Sequence, residues 1–447
     1  MKSKINIVIP KWYEYMNGFN EIVQDEIFSY VYKTMGIESI MSQEIPIEDA
    51  ELYLFVAQYR EECRGDWINN VIKYCNPKAI IGVCGKATTE ARKYIIKNNL
   101  RINYVIKGEP EVVFCNIIKN YLENGQNIQF NNIKGIIYRD FNGNIVENSN
   151  QQCIQNYDDL PIPTFSYLSN EKKYPLCVLT SSRGCHGKCK FCEGHIVRTL
   201  NPGENFRGKS AERMVEEIKY IIDRYKRRVF CFADDNFFVD GLIGKERAYK
   251  FAKLIQKEKI RIRYTVECRA DDVDYELFKE LKKSGLHKVF IGIESGSQSF
   301  LDRIGKGTTV QQNINAIEIL NELGIICEPG YIFFDPMTTV KELEETLKFF
   351  KKYQDKLYSL PTGSGYCRLY FPYDSEIVKQ YWPNKSSNFY DKISHGQSKY
   401  IFIDETVRKI FDKYVEIIDN KEQPFDIVLK NRVNALEKAI EYVVESV

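Results

Sequence analysis

Short apolar runs alternate with helically spaced apolar residues through the first 125 residues. Ile5 to Pro10 predicts a strand, and Glu21 to Met35 an amphipathic helix with Ile22, Ile27, Tyr30 and Val31 on one side. Ala50 to Ala57 and Ala79 to Cys84 predict further strands, with helices at Trp67 to Tyr74 and Thr89 to Lys97. Tyr104 to Lys107 is a short strand. Pro110 to Leu122 is a helix with proline in its first turn, where the missing N–H costs nothing. This βαβα order predicts a parallel, doubly wound sheet that binds ligands beyond the carboxyl ends of its strands.

The pattern then changes. Gly135 to Tyr138 and Ile145 to Val146 flank Asn142-Gly143, a hairpin signature. Asp158-Asp159-Leu160-Pro161-Ile162-Pro163 reads as an extended crossing segment, because residues before proline avoid the helical region. Strand and helix then alternate again. The expected strands are Leu176–Thr180, Val229–Ala233, Arg263–Cys268, Lys288–Ile293, Cys327–Phe334 and Tyr366–Tyr370. The expected helices are Ala211–Tyr225, Lys245–Lys257, Tyr275–Ser284, Val310–Leu323 and Val340–Tyr353. After Tyr370 the chain is aromatic and loop-like, then helical at Glu405 to Ile418 and Val433 to Val444. The expected class is α/β. A doubly wound domain occupies residues 1–125, a hairpin and linker 126–170, a βα core 171–370 and a mostly helical capping region 371–447.

Composition narrows the function. Hydrophobic residues make up 44% and charged ones 28%, which is ordinary for globular domains. Lys+Arg 63 against Asp+Glu 61 leaves a net charge of +2, so no overall field draws the chain to nucleic acid or membrane. No apolar run is long enough to span a bilayer, and Met1 to Pro10 does not read as a signal peptide. Thirteen cysteines without an export signal predict a reducing cytoplasm.

Three of those cysteines are clustered. Ser182-Arg183-Gly184-Cys185-His186-Gly187-Lys188-Cys189-Lys190-Phe191-Cys192 sets thiols at C-x3-C-x2-C on a polar loop after an expected strand. Three thiolates leave one iron of an iron–sulfur cube open, whereas a structural zinc site needs a fourth ligand. His195 is a candidate fourth ligand for zinc, and buried unliganded thiols are a third reading.

The spacing of Cys185, Cys189 and Cys192 resembles the signature of radical S-adenosylmethionine (radical SAM) enzymes. The resemblance implies a [4Fe–4S] cluster whose open iron is chelated by the amino and carboxylate groups of S-adenosylmethionine. Reductive cleavage would yield a 5′-deoxyadenosyl radical. It also implies a partial barrel of six βα units, with chemistry at the carboxyl ends of the strands.

Candidate residues stand at those ends. Phe232-Ala233-Asp234-Asp235-Asn236-Phe237 resembles the F-x-D-D-x-F of cobalamin-type members. There Asp234 and Asp235 would accept from the amino group of S-adenosylmethionine; an Asx turn or helix cap is the structural alternative. Arg269 would bind the methionyl carboxylate through two parallel hydrogen bonds, or else pair with Asp271 or Asp272. Gly292-Ile293-Glu294-Ser295-Gly296-Ser297 resembles the family's G-I-E-S-G-S, with Glu294 expected on ribose hydroxyls and Ser295 beside it. Phe333-Phe334-Asp335-Pro336 is expected near adenine, and Lys306 fits the family pattern or is a solvated loop lysine. Arg207 matches a family arginine to which no role is assigned. Cys367 is a candidate hydrogen donor or a buried thiol.

The first domain resembles the cobalamin-binding domain that precedes many radical SAM cores. The resemblance rests on its element order, on Gly82 to Thr89 and on Lys107-Gly108-Glu109-Pro110-Glu111. Family members read close to G-E-G-E at the last site, from which Pro110 departs. The expected cobalamin residues are Gly82, Gly85, Thr88 and Gly108. The four histidines are His186, His195, His287 and His395, so the first domain supplies no imidazole to cobalt. Methylthiotransferases share the layout but carry three cysteines in that domain. Here the first strand has none, and Val56-Ala57-Gln58 stands where an N-T-C is expected.

The expectation is therefore a cytoplasmic radical SAM enzyme using a [4Fe–4S] cluster, S-adenosylmethionine and cobalamin to methylate an unactivated carbon of a small molecule. The alternative is the same architecture performing rearrangement, cyclisation or methylthiolation. Expected partners are a small-molecule substrate and an electron donor such as flavodoxin or ferredoxin, with no nucleic acid and no membrane.

Overall fold

A computed structural model describes residues 4–10, 19–58, 67–192, 194, 206–239, 241–358, 367–369, 381, 401–419 and 428–444. The chain divides into two compact units. The first comprises Met1–Cys185 with Glu193–Ala233, and the second His186–Cys192 with Asp234–Val447.

The first unit contains a seven-stranded sheet in the order β2-β1-β3-β4-β5-β6-β7. Its elements in chain order are β1 (Ile5–Ile9), α1 (Phe19–Met35), β2 (Ile40–Gln43), β3 (Leu52–Val56), α2 (Trp67–Ile72), β4 (Ile80–Cys84), α3 (Lys86–Asn98), β5 (Tyr104–Ile106), α4 (Pro110–Asn124), β6 (Ile136–Arg139) and β7 (Ile145–Glu147). β1 to β5 are parallel. Every residue of β1, β3, β4 and β5 is buried, as expected for strands covered on both faces. Ile5, Ile7, Ile9, Leu52, Leu54 and Val56 share a core with Ile27 and Val31 of α1 and Val113, Phe114 and Ile117 of α4. β2 was not expected. It is short and half-buried, and is held by Asn6, whose amide donates to Ile40 O and Ser42 Oγ, each at 2.9 Å.

The hairpin assigned to a linker is part of this sheet. β6 pairs antiparallel with β5, and β7 with β6. The sheet is therefore mixed rather than wholly parallel. Asn142-Gly143 supplies the tight turn that only an antiparallel pair can use.

The first unit also runs past the expected boundary at residue 170. One reason lies in α1, whose buried acids hold the following segment. Asp25 accepts from Thr164 Oγ1 at 2.7 Å, Ser166 Oγ at 2.9 Å and Ser166 N–H at 2.9 Å. Tyr174 donates to Glu21 at 2.9 Å, and Thr180 and Arg183 donate to Glu26. This places β8 (Cys177–Leu179) in the first unit, followed by the short antiparallel ribbon β9 (Ser182–Arg183) and β10 (Arg207–Gly208). α5 (Ala211–Tyr225) then leads to β11 (Val229–Phe232), which pairs parallel with β8. Ser210 caps α5 by accepting from Arg213 N–H.

The second unit carries α6 (Leu242–Lys257), β12 (Arg263–Arg269), α7 (Tyr275–Lys283), β13 (Leu286–Glu294), α8 (Gln298–Arg303), α9 (Val310–Glu322), β14 (Ile326–Tyr331) and α10 (Val340–Tyr353). β12, β13 and β14 are consecutive parallel neighbours, each βα turn returning the chain to the same edge. Thr309 with Gln312, and Thr339 with Glu342, form capping boxes that fix the starts of α9 and α10. Of the expected sixth strand only Cys367 to Leu369 are described. There Arg368 makes a parallel bridge to Phe334. α11 (Glu405–Asp419) and α12 (Val428–Val444) pack on each other, and α12 also packs on α10. No helix among the described residues is long and apolar enough to cross a membrane.

Candidate active site

In the first unit the cysteine loop grows out of β9, and its root is an ion network. Arg183 Nη1 donates to Glu111 Oε2 at 3.1 Å, and Arg183 Nη2 reaches both Glu111 Oε1 and Glu26, the latter at 3.1 Å. Glu109 lies 3.2 Å from the same guanidinium and is also paired with Arg207. Arg207 donates in addition to Ile154 O, which gives it a structural role. Burial raises the Glu109 pKa, but Arg183 and Arg207 beside it hold the carboxyl below the ordinary carboxylate value. Glu109 and Glu111 are thus satisfied within the protein.

The expected cobalamin residues divide. Gly85 follows β4 at a φ of 129°, and a side chain there would overlap the Ala57 carbonyl. Thr88 and Thr89 donate to Gly85 O at 3.0 and 2.8 Å, and Gly108 N–H donates to Thr89 Oγ1 at 3.1 Å. Gly85, Thr88 and Gly108 therefore meet at the carboxyl edge of the sheet. Thr89, the residue joining them, was not singled out by the sequence. Gly82 is elsewhere, in the middle of β4, where the Tyr104 ring lies where a β-carbon would sit. The Tyr104 hydroxyl is buried with no hydrogen-bond partner. The space over Gly82 is filled by tyrosine.

In the second unit, Cys189 is buried and Cys192 half-buried. Cys185, the last residue before that segment, is half-buried too, and none of the described cysteines forms a disulfide. Arg269, the last residue of β12, donates from Nη1 to Cys189 Sγ at 3.5 Å. Its Nη2 donates to Lys306 O at 2.8 Å, and Nε and Nη2 grip Asp271 at 2.9 and 3.1 Å. Lys306 is buried rather than solvated, and its ammonium donates to Glu294 Oε1 at 2.7 Å. Burial lowers the Lys306 pKa, but Glu294 and the Cys189 thiol hold it above the ordinary lysine value. Lys190 N–H donates to Ile304 O at 3.0 Å, a second tie between the cysteine loop and the loop after α8.

His186 links the loop to the strand ends. Its Nε2 lies 3.2 Å from both oxygens of Asp272, and its N–H donates to Val239 O at 2.9 Å. Burial raises the Asp272 pKa, while His186 holds it below the ordinary value. Asn236 donates to Asp272 at 2.8 Å and accepts from Phe238 N–H at 3.0 Å. In the segment Asp234-Asp235-Asn236, Asn236 therefore makes the turn; Asp234 is buried and Asp235 half-buried. The Asn236–Asp272 pair was not legible in sequence, where Asp272 stood only as a possible partner of Arg269, because 36 residues separate the two.

Glu294 sits at a register shift between β13 and β14, with φ 59°. Ser295 is buried, bonded to Thr346 Oγ1 at 2.8 Å, and accepts from Ser297 N–H at 3.1 Å, so it shapes the loop. Asp335 is held by Arg303 at 2.9 Å and Tyr381 at 3.0 Å. Cys367 accepts from Tyr414 and Arg432, each at 3.3 Å, as a buried thiol does. Among the described residues no three His, Cys, Asp or Glu side chains stand in the geometry of a metal-ion site. His195 lies outside the described residues.

Residues 179–350 match a family model described as the radical SAM superfamily. This segment is a radical SAM domain. An uncharacterised methyltransferase of Pyrococcus horikoshii is 30% identical over 289 residues, covering 64% of this chain and 60% of the relative. An anaerobic magnesium-protoporphyrin IX monomethyl ester cyclase of Rubrivivax gelatinosus is 25% identical over 286 residues, covering 62% and 50%. The cobalamin-dependent S-adenosylmethionine radical enzyme OxsB, solved with aqua-cobalamin and S-adenosylmethionine bound, has a TM-score of 0.66 at 17% identity. That match covers 99% of this chain and 62% of OxsB, so the fold is shared along nearly the whole chain. The chain spans between half and about three-fifths of the length of these proteins.

The donors around the radical SAM domain's loop fit an iron–sulfur cluster. Three cysteines lie within eight residues, two of them half-buried, and a guanidinium faces the sulfur of the third.

Proposed function

We propose that this protein is a radical SAM enzyme that methylates an unactivated carbon of a small molecule with the help of cobalamin. The observation that carries the first half is Cys189 on a three-cysteine loop, with Arg269 against its sulfur, inside a radical SAM domain. Cys185, Cys189 and Cys192 would hold the [4Fe–4S] cluster. Bound there with S-adenosylmethionine, it would supply a 5′-deoxyadenosyl radical.

The chain's own residues prepare that site. His186 and Lys190 fix the loop to the turn after β12 and to the turn after α8. Lys306 holds one oxygen of Glu294, and the other remains to accept a ribose hydroxyl. Asp234 and Asp235 stand after β11 as acceptors for the amino group. The cobalamin half rests on the carboxyl edge formed by Gly85, Thr88 and Gly108, and on a fold shared with a cobalamin-dependent enzyme. None of the four histidines precedes residue 186, so the α/β domain offers no imidazole to cobalt. The electron required would come from a reduced flavodoxin or ferredoxin, and the reducing compartment is the cytoplasm.

The experiment is anaerobic purification and reconstitution, with iron, sulfide, zinc and corrinoid measured, then product analysis after turnover. Iron with sulfide, bound corrinoid and release of both 5′-deoxyadenosine and S-adenosylhomocysteine is the expected result. Stoichiometric zinc without sulfide overturns the radical reading. A cluster-loaded protein that takes up no corrinoid and releases 5′-deoxyadenosine alone overturns methylation. It leaves the second reading, a non-methylating radical reaction, which the similarity to a ring-forming cyclase favours.

A further inference from the structure

We propose that Arg269 is a positioning residue for the Cys189 corner of the cluster, setting its reduction potential, rather than the receptor for the methionyl carboxylate. This rests on the cluster reading above and deepens it.

The argument starts from the geometry of the guanidinium, a planar fork with five N–H donors. A carboxylate ligand is bound best by two parallel N–H groups of that fork. In Arg269 the Nε and Nη2 pair is already gripping Asp271, at 2.9 and 3.1 Å. Nη2 also donates to Lys306 O at 2.8 Å, and Nη1 points at Cys189 Sγ, 3.5 Å away. The side chain is only 8% exposed, so its donors are committed inside the protein.

Its surroundings are built to keep that orientation. Lys306 is flanked by Gly305 and Gly307, with φ of 66° and 71°, which turn the Lys306 carbonyl within a tight bend. A β-carbon at Gly307 would lie 3.8 Å from Arg269 Nη2, in ordinary contact. Ile304, just before the bend, accepts from Lys190 N–H, so the residue following Cys189 is anchored to the same turn. The guanidinium and the sulfur are thus held from both sides.

An N–H donor and a positive charge beside a ligating sulfur draw electron density from the cluster and raise its potential. Asp271 offsets part of that charge. The two partners therefore act in opposite directions, which gives a test of sign. Arg269→Gln removes the cation and leaves the anion, so reduction becomes harder. Asp271→Asn leaves the cation alone, so reduction becomes easier.

The test is a potentiometric titration of reconstituted protein without S-adenosylmethionine, followed by the electron paramagnetic resonance signal of the reduced cluster. We expect Arg269→Gln to disfavour reduction at least tenfold, about 59 mV for one electron. Asp271→Asn should shift the potential the other way. S-adenosylmethionine affinity of Arg269→Gln should stay within threefold of wild type. An unchanged potential in Arg269→Gln overturns the assignment, as does a tenfold or greater loss of S-adenosylmethionine affinity without a change in potential. If Arg269→Gln does not assemble a cluster, Arg269→Lys and Asp271→Asn decide. Arg269→Lys keeps the charge without the fork and should fall between wild type and the expected Gln value; shifts of zero in both overturn the proposal. Failure of the cluster reading itself looks different: the wild-type protein then lacks iron and sulfide, and the inference falls with it.

Discussion

Arg183 is the residue whose loss should be felt most, and the size of the effect can be worked out from its partners. The perturbation is Arg183→Met, which keeps an unbranched apolar stem and removes the guanidinium and its charge. In the native protein the guanidinium meets Glu26, Glu109 and Glu111 and lies 5.2 Å from the Tyr157 ring centre. After substitution Glu109 keeps Arg207, and Glu26 keeps the Thr180 hydroxyl. Glu111, only 1% exposed, loses the cation that reaches both its oxygens. Breaking a buried pair costs about 3–5 kcal/mol because the remaining charge is uncompensated. The Arg183 side chain is 19% exposed, which favours the lower end, about 3 kcal/mol or more than a hundredfold in the folding equilibrium. The sign with pH follows. A carboxylate left buried resists ionisation, so its folded pKa rises above the unfolded value of about 4.3. The deficit is then small below about pH 4 and grows as the pH rises. The assay is urea unfolding of the cluster-free protein at pH 5 and pH 7.5, followed by far-ultraviolet circular dichroism. The double variant with Glu111→Gln should recover part of the loss at pH 7.5. A single variant within about 1 kcal/mol of wild type at pH 7.5 would show that the network carries no stability, contrary to the cost of a stranded buried charge.

Three further predictions concern other sites. Asp25 has its pKa raised to about 6 by burial, against the hydrogen bonds from Thr164 and Ser166. Its contribution is therefore fully present below about pH 4 and lost as the pH rises through 6. Relative to Asp25→Asn, wild type should lose about 2 kcal/mol between pH 4 and pH 7.5 in urea titrations, and a flat difference refutes this. Tyr104→Phe removes a buried hydroxyl that has no partner and should stabilise the protein by about 1 kcal/mol; a loss of that size in the same assay would mean the hydroxyl is bonded after all. Gly292→Ala puts a methyl group onto Lys306 Nζ and 2.8 Å from Glu294 Oε1. It should cost about 1–3 kcal/mol and weaken S-adenosylmethionine binding by calorimetry, and unaltered affinity would separate the Lys306–Glu294 pair from the ligand.

What the sequence revealed depended on whether the cause was local. The three-cysteine loop is a matter of spacing within eight residues, and it stood out at once. α5 and α10 match their expected limits, because Ser210 and Thr339 are helix caps ahead of regular apolar spacing. β2 and α8 were missed because they are only four and six residues long, with polar residues at half or more of their positions. The Asn-Gly turn of the hairpin was legible, but its membership of the sheet was not, since edge pairing with β5 is a tertiary choice. α1 was read from Ile22, Ile27, Tyr30 and Val31. Of its buried acids, Glu21 and Asp25 are one helical turn apart and Glu26 adjoins Asp25. Charged residues pass for a solvated face until their partners, more than 130 residues away, are known. Arg269 shows the same limit. Its position at a strand end was correctly singled out, but the residues that occupy its donors come from three separate parts of the chain.

The arrangement around Glu294 shows how the fold holds one carboxylate in a strained position. A non-glycine residue at φ 59° is strained by about 1 kcal/mol or more, so the surroundings must hold it there. They do so with three elements. The register shift between Gly292 and Glu294 turns the backbone out of the ladder, and Glu294 O then accepts from Ile332 N–H at 2.7 Å. Lys306 crosses the bare face of Gly292 to bind Oε1, a path that any β-carbon would close. On the other side Oε2 is 3.8 Å from where a Gly330 β-carbon would stand, an ordinary contact, and the Phe290 ring lies closer to that position at 3.1 Å. One oxygen is therefore fixed by a buried cation. A carboxylate held in this way is already oriented before a ligand arrives, so less ordering is left to oppose binding. Gly292 and the lysine thus account for part of the feature that the sequence motif displays.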